Sequence, residues 1–190
     1  LEGKFDPFLA ASKHAVLNTV SGNYAKELQE SDEDRLTGWL GHELLQRGVH
    51  LEGITNGIDS AEYDPGNPEK AGIVSGFDIL DGDLAGKQKC KEHLLSLLDG
   101  TKGLAVAQNG YLEFQPECPL LTFIGRLNEQ KGVDVLVDGM RIFLEEGHDA
   151  QFAILGSGES YFEQQLAHLT EDERFKGRVC FLQGFDPRMA

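Results

Sequence analysis

Arg126 and Lys131 stand five residues apart in the segment FIGRLNEQKG, Phe123 to Gly132, two cations in a chain whose acidic residues outnumber its basic ones by 32 to 17. The preceding run, Leu120 to Ile124, is apolar and of strand length. From Gly132 to Leu144 apolar residues recur at helical spacing, at Val133, Leu136, Val137, Met140, Phe143 and Leu144. Both cations therefore fall in a strand-to-helix turn. In an open α/β sheet such a turn lies at the carboxyl end of a strand, where ligands bind, and the N–H groups of the helix start face the same crevice. An arginine offers a planar fork for two phosphate oxygens and a lysine a mobile point charge, so the ligand implied is a phosphate-bearing molecule. On spacing alone, surface cations paired with Glu129 or Asp134 are the better explanation, because structural ion pairs are common.

A second turn, LGSGES, Leu155 to Ser160, follows the next apolar run. Glycine lets a backbone approach a ligand closely, so Gly156 and Gly158 are candidates to border a nucleotide. The pair lacks the third glycine of a dinucleotide fingerprint and follows a later strand rather than the first, which counts against an NAD site. A plain tight turn with Ser157 or Ser160 capping the helix fits equally well.

The elements that must hold these turns alternate: strands over 120–125, 151–156 and 178–182, helices over 132–144 and 160–169. That order implies parallel pairing of the strands in a Rossmann-like sheet with flanking helices. Upstream, Ala15 to Ser21 and Leu51 to Thr55 read as strands, and Gly22 to Gln29, Gly41 to Arg47 and Lys87 to Leu98 as helices. The acidic run SDEDR reads as a solvated turn or the start of another helix. Asn56-Gly57 is a turn signal, and Tyr63 to Gly86, rich in Pro, Gly and Asp, is the longest irregular stretch.

Composition narrows the partners. With 190 residues, 40% of them hydrophobic, the chain holds one domain or parts of two. A formal net charge of −15 opposes nucleic-acid and anionic-membrane binding, both of which need a basic face, and suits a neutral partner such as a polysaccharide. No apolar run approaches the roughly 18 residues of a membrane span. The cysteines, Cys90, Cys118 and Cys180, are odd in number and have neither disulfide-framework nor zinc spacing, which fits a reducing compartment. The histidines, His14, His42, His50, His93, His148 and His168, are dispersed, so no metal is expected. Ser21 and Ser157 lack a nucleophile elbow, and Trp39 and Tyr63 receive no role.

The segment FIGRLNEQKGVDVL resembles the phosphate-binding turn of the glycogen and starch synthases. These are glycosyltransferases with two Rossmann-like domains that move glucose from a nucleotide sugar onto a growing α-1,4-glucan. NTVSGNYAKEL, Asn18 to Leu28, resembles the strand and helix late in their amino-terminal domain. GITNGID, Gly53 to Asp59, resembles the crossing into the carboxy-terminal domain, and FAILGSGES, Phe152 to Ser160, a later strand and glycine turn. With these companions in order, the ligand reading of Arg126 and Lys131 displaces surface pairing.

The resemblance implies an α/β fold forming part of a two-domain GT-B transferase. Residues 1–52 would end the acceptor-side domain, and 53–190 would form the first half of the nucleotide-sugar-binding domain. It implies ADP-glucose or a related nucleotide glucose as donor, an α-glucan acceptor, transfer with retention, no metal or other cofactor, and Arg126 and Lys131 as the residues that neutralise the leaving diphosphate. The family's Lys-x-Gly-Gly loop and its late glutamate with a glycine-rich turn are not in this sequence, so the chain reads as an internal piece of a synthase, inactive alone and prone to self-association. Location follows as cytoplasm in a bacterium or plastid in a plant or alga. The rival readings are a sucrose synthase-like or other GT-B transferase, and a noncatalytic nucleotide-binding module.

Overall fold

The computed structural model describes residues 5–189, and by contact the chain divides into two units, Leu1–Ser60 and Ala61–Ala190. In the first, α1 (Pro7–Ala11) opens on Asp6, whose side chain accepts from the Phe8 and Leu9 amides while Pro7 fills a position that needs no donor. The strands β1 (Asn18–Thr19) and β2 (Glu52–Gly53) pair in parallel, and α2 (Gly22–Glu30) and α3 (Leu40–Gln46) lie between them in sequence. The strands expected over 15–21 and 51–55 are two residues each, and among the described residues each pairs only with the other. Gly53 is required by proximity: a Cβ there would lie 2.2 Å from the Gly22 backbone. Because β2 pairs with β1, residues 52 and 53 join the first unit by contact, and the contact boundary comes at Ser60.

The acidic run SDEDR is a 3-10 helix, Asp32–Thr37, and it is not wholly solvated. Asp34 has no exposed surface. Its carboxylate accepts from Thr37 Oγ1 at 2.5 Å, the Gly41 amide at 3.1 Å, the His42 amide at 2.8 Å and His42 Nδ1 at 2.8 Å. It therefore caps α3 from outside the helix, whose own cap residue, Trp39, makes no side-chain bond and adopts a left-handed φ of 66°. Burial pushes the Asp34 pKa up, but the bonds from Thr37, His42 and Gly41 outweigh it and the net shift is down.

The second unit begins with α4 (Pro68–Ala71), a single turn inside the stretch expected to be irregular, and α5 (Ala85–Leu97). Then come β3 (Ala107–Gly110), β4 (Leu120–Ile124), α6 (Val133–Glu145), β5 (Gln151–Gly156), α7 (Ser160–Glu171) and β6 (Val179–Gln183). The strand order is β3-β6-β5-β4; β4, β5 and β6 are parallel as expected, and β3 is antiparallel to β6. The sheet is therefore mixed rather than purely parallel. Alternation along the strands splits the core in two. Phe152, Ile154, Val179 and Phe181 pack with Val137, Met140 and Leu144 of α6 and Leu166 of α7, while Ala153, Leu155, Cys180 and Leu182 pack with Leu95 and Leu98 at α5. All six residues of β5 are buried, as a parallel strand covered on both faces must be.

Candidate anion site at the carboxyl ends of β4 and β5

The β4–α6 turn is built to leave its cations outward. Leu127 has no exposed surface and anchors the turn in the core, whereas its neighbour Arg126 is exposed. Asn128 then caps a short 3-10 helix, Glu129–Lys131, its side chain accepting from the Lys131 amide at 3.2 Å. Gly132 follows with φ 67°, a left-handed conformation that costs a residue with a Cβ about 1–2 kcal/mol, and opens α6 with no side-chain cap. Among the described residues neither Arg126 nor Lys131 forms an ion pair or a side-chain hydrogen bond, so the pairing with Glu129 or Asp134 weighed from spacing is not made. Other lysines, Lys87 and Lys89 on α5 among them, are unpaired too. Arg126 and Lys131 stand apart because they share one turn at the carboxyl end of a parallel strand.

The glycines of the second turn face the first. A Cβ on Gly156 would lie 2.1 Å from the Gly125 carbonyl oxygen, and one on Gly158 2.1 Å from that of Leu127. The requirement for glycine at both positions thus comes from the neighbouring turn. The two turns are laced by main-chain bonds: Gly125 N to Leu155 O at 3.0 Å, Leu127 N to Ser157 O at 3.0 Å, and Glu159 N to Leu127 O at 2.8 Å, with a parallel bridge between Leu127 and Gly158. Gly184, after β6, donates to Gly156 O at 3.0 Å, so the ends of all three parallel strands are tied together. Neither Ser157 nor Ser160 caps α7; its cap residue is Glu159, which makes no side-chain cap bond. Glu163 closes the turn instead, accepting from Gly158 N at 3.0 Å and from Gln183 Nε2 at 2.9 Å. Sequence reasoning missed Glu163 and Gln183, which read as ordinary polar residues at element ends.

Nucleophilic chemistry has no support in the cysteines. Burial pushes the Cys180 thiol up to about 12, and burial followed by the bond and charge of Asp149 raises that of Cys118. The arrangement can bind and neutralise an anion at one edge of a rigid sheet.

Comparison with known proteins relates the chain to glycosyltransferases. The family model described as Glycosyl transferases group 1 matches residues 118–187, which include both turns. Soluble starch synthase 1 of Solanum tuberosum is 36% identical over 167 residues, covering 86% of this chain and 22% of that protein. Glycogen synthase of Cellvibrio japonicus is 31% identical over 174 residues, covering 92% of this chain and 31% of that protein. The fold matches the catalytic domain of starch synthase IV from Arabidopsis thaliana bound to ADP and acarbose, with a TM-score of 0.72 at 24% identity over 96% of this chain and 34% of that one. The chain thus spans about a fifth to a third of the length of these relatives.

Proposed function

The chain belongs to the glycogen and starch synthase family of glycosyltransferases, and from that premise we propose that it is part of an enzyme transferring glucose from ADP-glucose, or a related nucleotide glucose, to the non-reducing end of an α-1,4-glucan with retention. One observation carries the proposal: two cations without partners share a turn that main-chain bonds at Gly125 and Leu127 tie to the β5–α7 turn. In the transfer the bond between the glucose anomeric carbon and the donor phosphate oxygen breaks and its electron pair leaves with the diphosphate, while that carbon bonds to the 4-hydroxyl oxygen of the acceptor's terminal glucose, whose proton ends on the diphosphate or in solvent. Arg126 would grip two phosphate oxygens with its planar fork and Lys131 would add a point charge, so that both meet the negative charge as it grows. Because the backbone of the turn is preformed, only the two side chains have to order on the ligand.

On this reading residues 53–190 belong to the nucleotide-sugar side and 1–52 to the acceptor side, and the acceptor and the remaining catalytic groups are met by parts of the synthase outside this sequence. On the same reading the 190 residues by themselves should release no ADP from ADP-glucose with glycogen. The ADP in the matched starch synthase structure supports an adenine nucleotide. The test is ADP release from ADP-glucose with glycogen as acceptor, in the intact synthase and in its Arg126→Ala and Lys131→Ala variants. Donor-dependent release lost in both variants, with nucleotide still bound by the wild type, is the expected result. Wild-type turnover in both variants would reduce the pair to surface cations.

A further inference from the structure

We infer that Glu163 is a positioning residue for Arg126: its carboxylate locks the β5–α7 turn and the end of β6 into the seat on which the Arg126 turn rests. The inference depends on the reading of Arg126 given above for its consequence in catalysis, and on the hydrogen-bond geometry alone for the coupling itself.

Glu163 lies half-buried in the first turn of α7, where a negative charge is favoured by the helix end. One oxygen accepts from the Gly158 amide and the other from the Gln183 side chain, so both are used within the protein. A carboxylate at the edge of the sheet that is to receive a diphosphate is repelled by that ligand, so ligand attraction does not account for its place. What it secures is the main chain. A charge-assisted bond holds Gly158 at the point where it bridges Leu127, and the absence of a Cβ there lets the two backbones touch. Leu127 donates to Ser157 and accepts from Glu159, so the residues on both sides of Gly158 grip it. Arg126 is the next residue. A shift of Gly158 therefore moves the peptide that carries the guanidinium, and catalytic geometry is sensitive to such shifts.

The test uses the intact synthase with Glu163→Ala, Glu163→Gln and the double variant Arg126→Ala/Glu163→Ala. Glu163→Ala should lower kcat about tenfold with the donor KM changed by less than about twofold, since the contact misplaced is one made in the transition state. Glu163→Gln should recover most of the loss, because its amide oxygen still accepts from Gly158 and the Gln183 amide can turn to accept from its NH2 group. In the Arg126→Ala background the Glu163→Ala change should cost nothing further, because a group that is absent cannot be misplaced. A role confined to folding would instead lower the melting temperature and cost the same in both backgrounds. Amide hydrogen exchange on the same proteins reads the coupling without any turnover: Glu163→Ala should speed exchange at both Gly158 and Leu127. Unchanged protection at Leu127, or full additivity with Arg126→Ala, overturns the inference. If exchange at Leu127 responds while no variant of Arg126 affects transfer, the coupling stands and the functional reading fails.

Discussion

The two ends of one sheet use the same residue types in opposite ways. At the amino ends of the strands, Lys91 of α5 donates to the carbonyls of Pro116 and Cys118 at 2.5 and 2.6 Å, and Arg178 donates to Ala150 O at 3.2 and 3.1 Å and to His148 O. These cations fasten the strand entries. At the carboxyl ends, Arg126 and Lys131 fasten nothing, and main-chain bonds and glycine contacts hold the turns together in their stead. The proposed binding role of these two cations rests on that contrast: their hydrogen-bonding capacity is unused in a place where the backbone has already made the fold secure.

The largest effects should separate the two ends cleanly. Arg126→Ala and Lys131→Ala in the intact synthase should each lower turnover by about 10² or more while leaving the melting temperature nearly unchanged. Arg126→Lys should restore only part of the loss, since one ammonium does not reproduce a two-pronged contact. Steady-state kinetics with thermal melts decides this, and a loss of stability matching the loss of turnover would erase the distinction between the ends.

Arg178→Ala should do the reverse. It leaves the Ala150 and His148 carbonyls without their charged donor and should cost about 1.5–3 kcal/mol in denaturant unfolding, with turnover per folded enzyme intact. A fall in turnover at unchanged stability would show that the amino end also serves the reaction.

A smaller effect tests the first unit. The Asp34 pKa is lower folded than unfolded, so its stabilising contribution is complete above the unfolded value of about 3.9 and is lost as the pH falls through the lower folded value. Trp39, the single tryptophan, stacks edge-on against the His42 ring that Asp34 holds, at 5.1 Å between centroids. Its fluorescence should shift below that pH, and Asp34→Asn should already be shifted at neutral pH and respond little to acid. The smallest effect belongs to Glu129→Gln. That carboxylate pairs with neither cation of its own turn, so turnover and stability should both stay near wild type; a marked change in either would mean that Glu129 restrains the cations after all.

Much of the second unit was legible because it repeats one rule. Strands buried on both faces read as apolar runs, and helices covering them read at helical period, so the parallel strands and the helices between them were found with their ends shifted by a residue or two. Ala107–Gly110 was not, because AQNG carries the residues of a turn and becomes a strand only by pairing with β6. Asp34 looked solvated among three charged neighbours, since nothing in SDEDR says which carboxylate turns inward to meet α3. At the site, Arg126 and Lys131 were visible as a motif. Their lack of partners and the grip of Glu163 on Gly158 were not, because both depend on where residues distant in sequence come to rest.

The antiparallel pairing of β3 with β6 has a consequence for the order of assembly. The chain between them contains two complete crossovers, β4–α6–β5 and β5–α7–β6, each joining near neighbours in sequence. Closing the short loops first costs less entropy than closing the long one. During synthesis β3 emerges well before its partner, and the ladder cannot form until the whole parallel core has been made. Meanwhile the amide of Gln108 can hold the segment locally, through Leu98 O and Gly110 O, both at 3.1 Å. β3, the first strand of this sheet in chain order, should therefore be the last to dock, and the parallel strands that carry the proposed anion site should gain their protection against exchange before it.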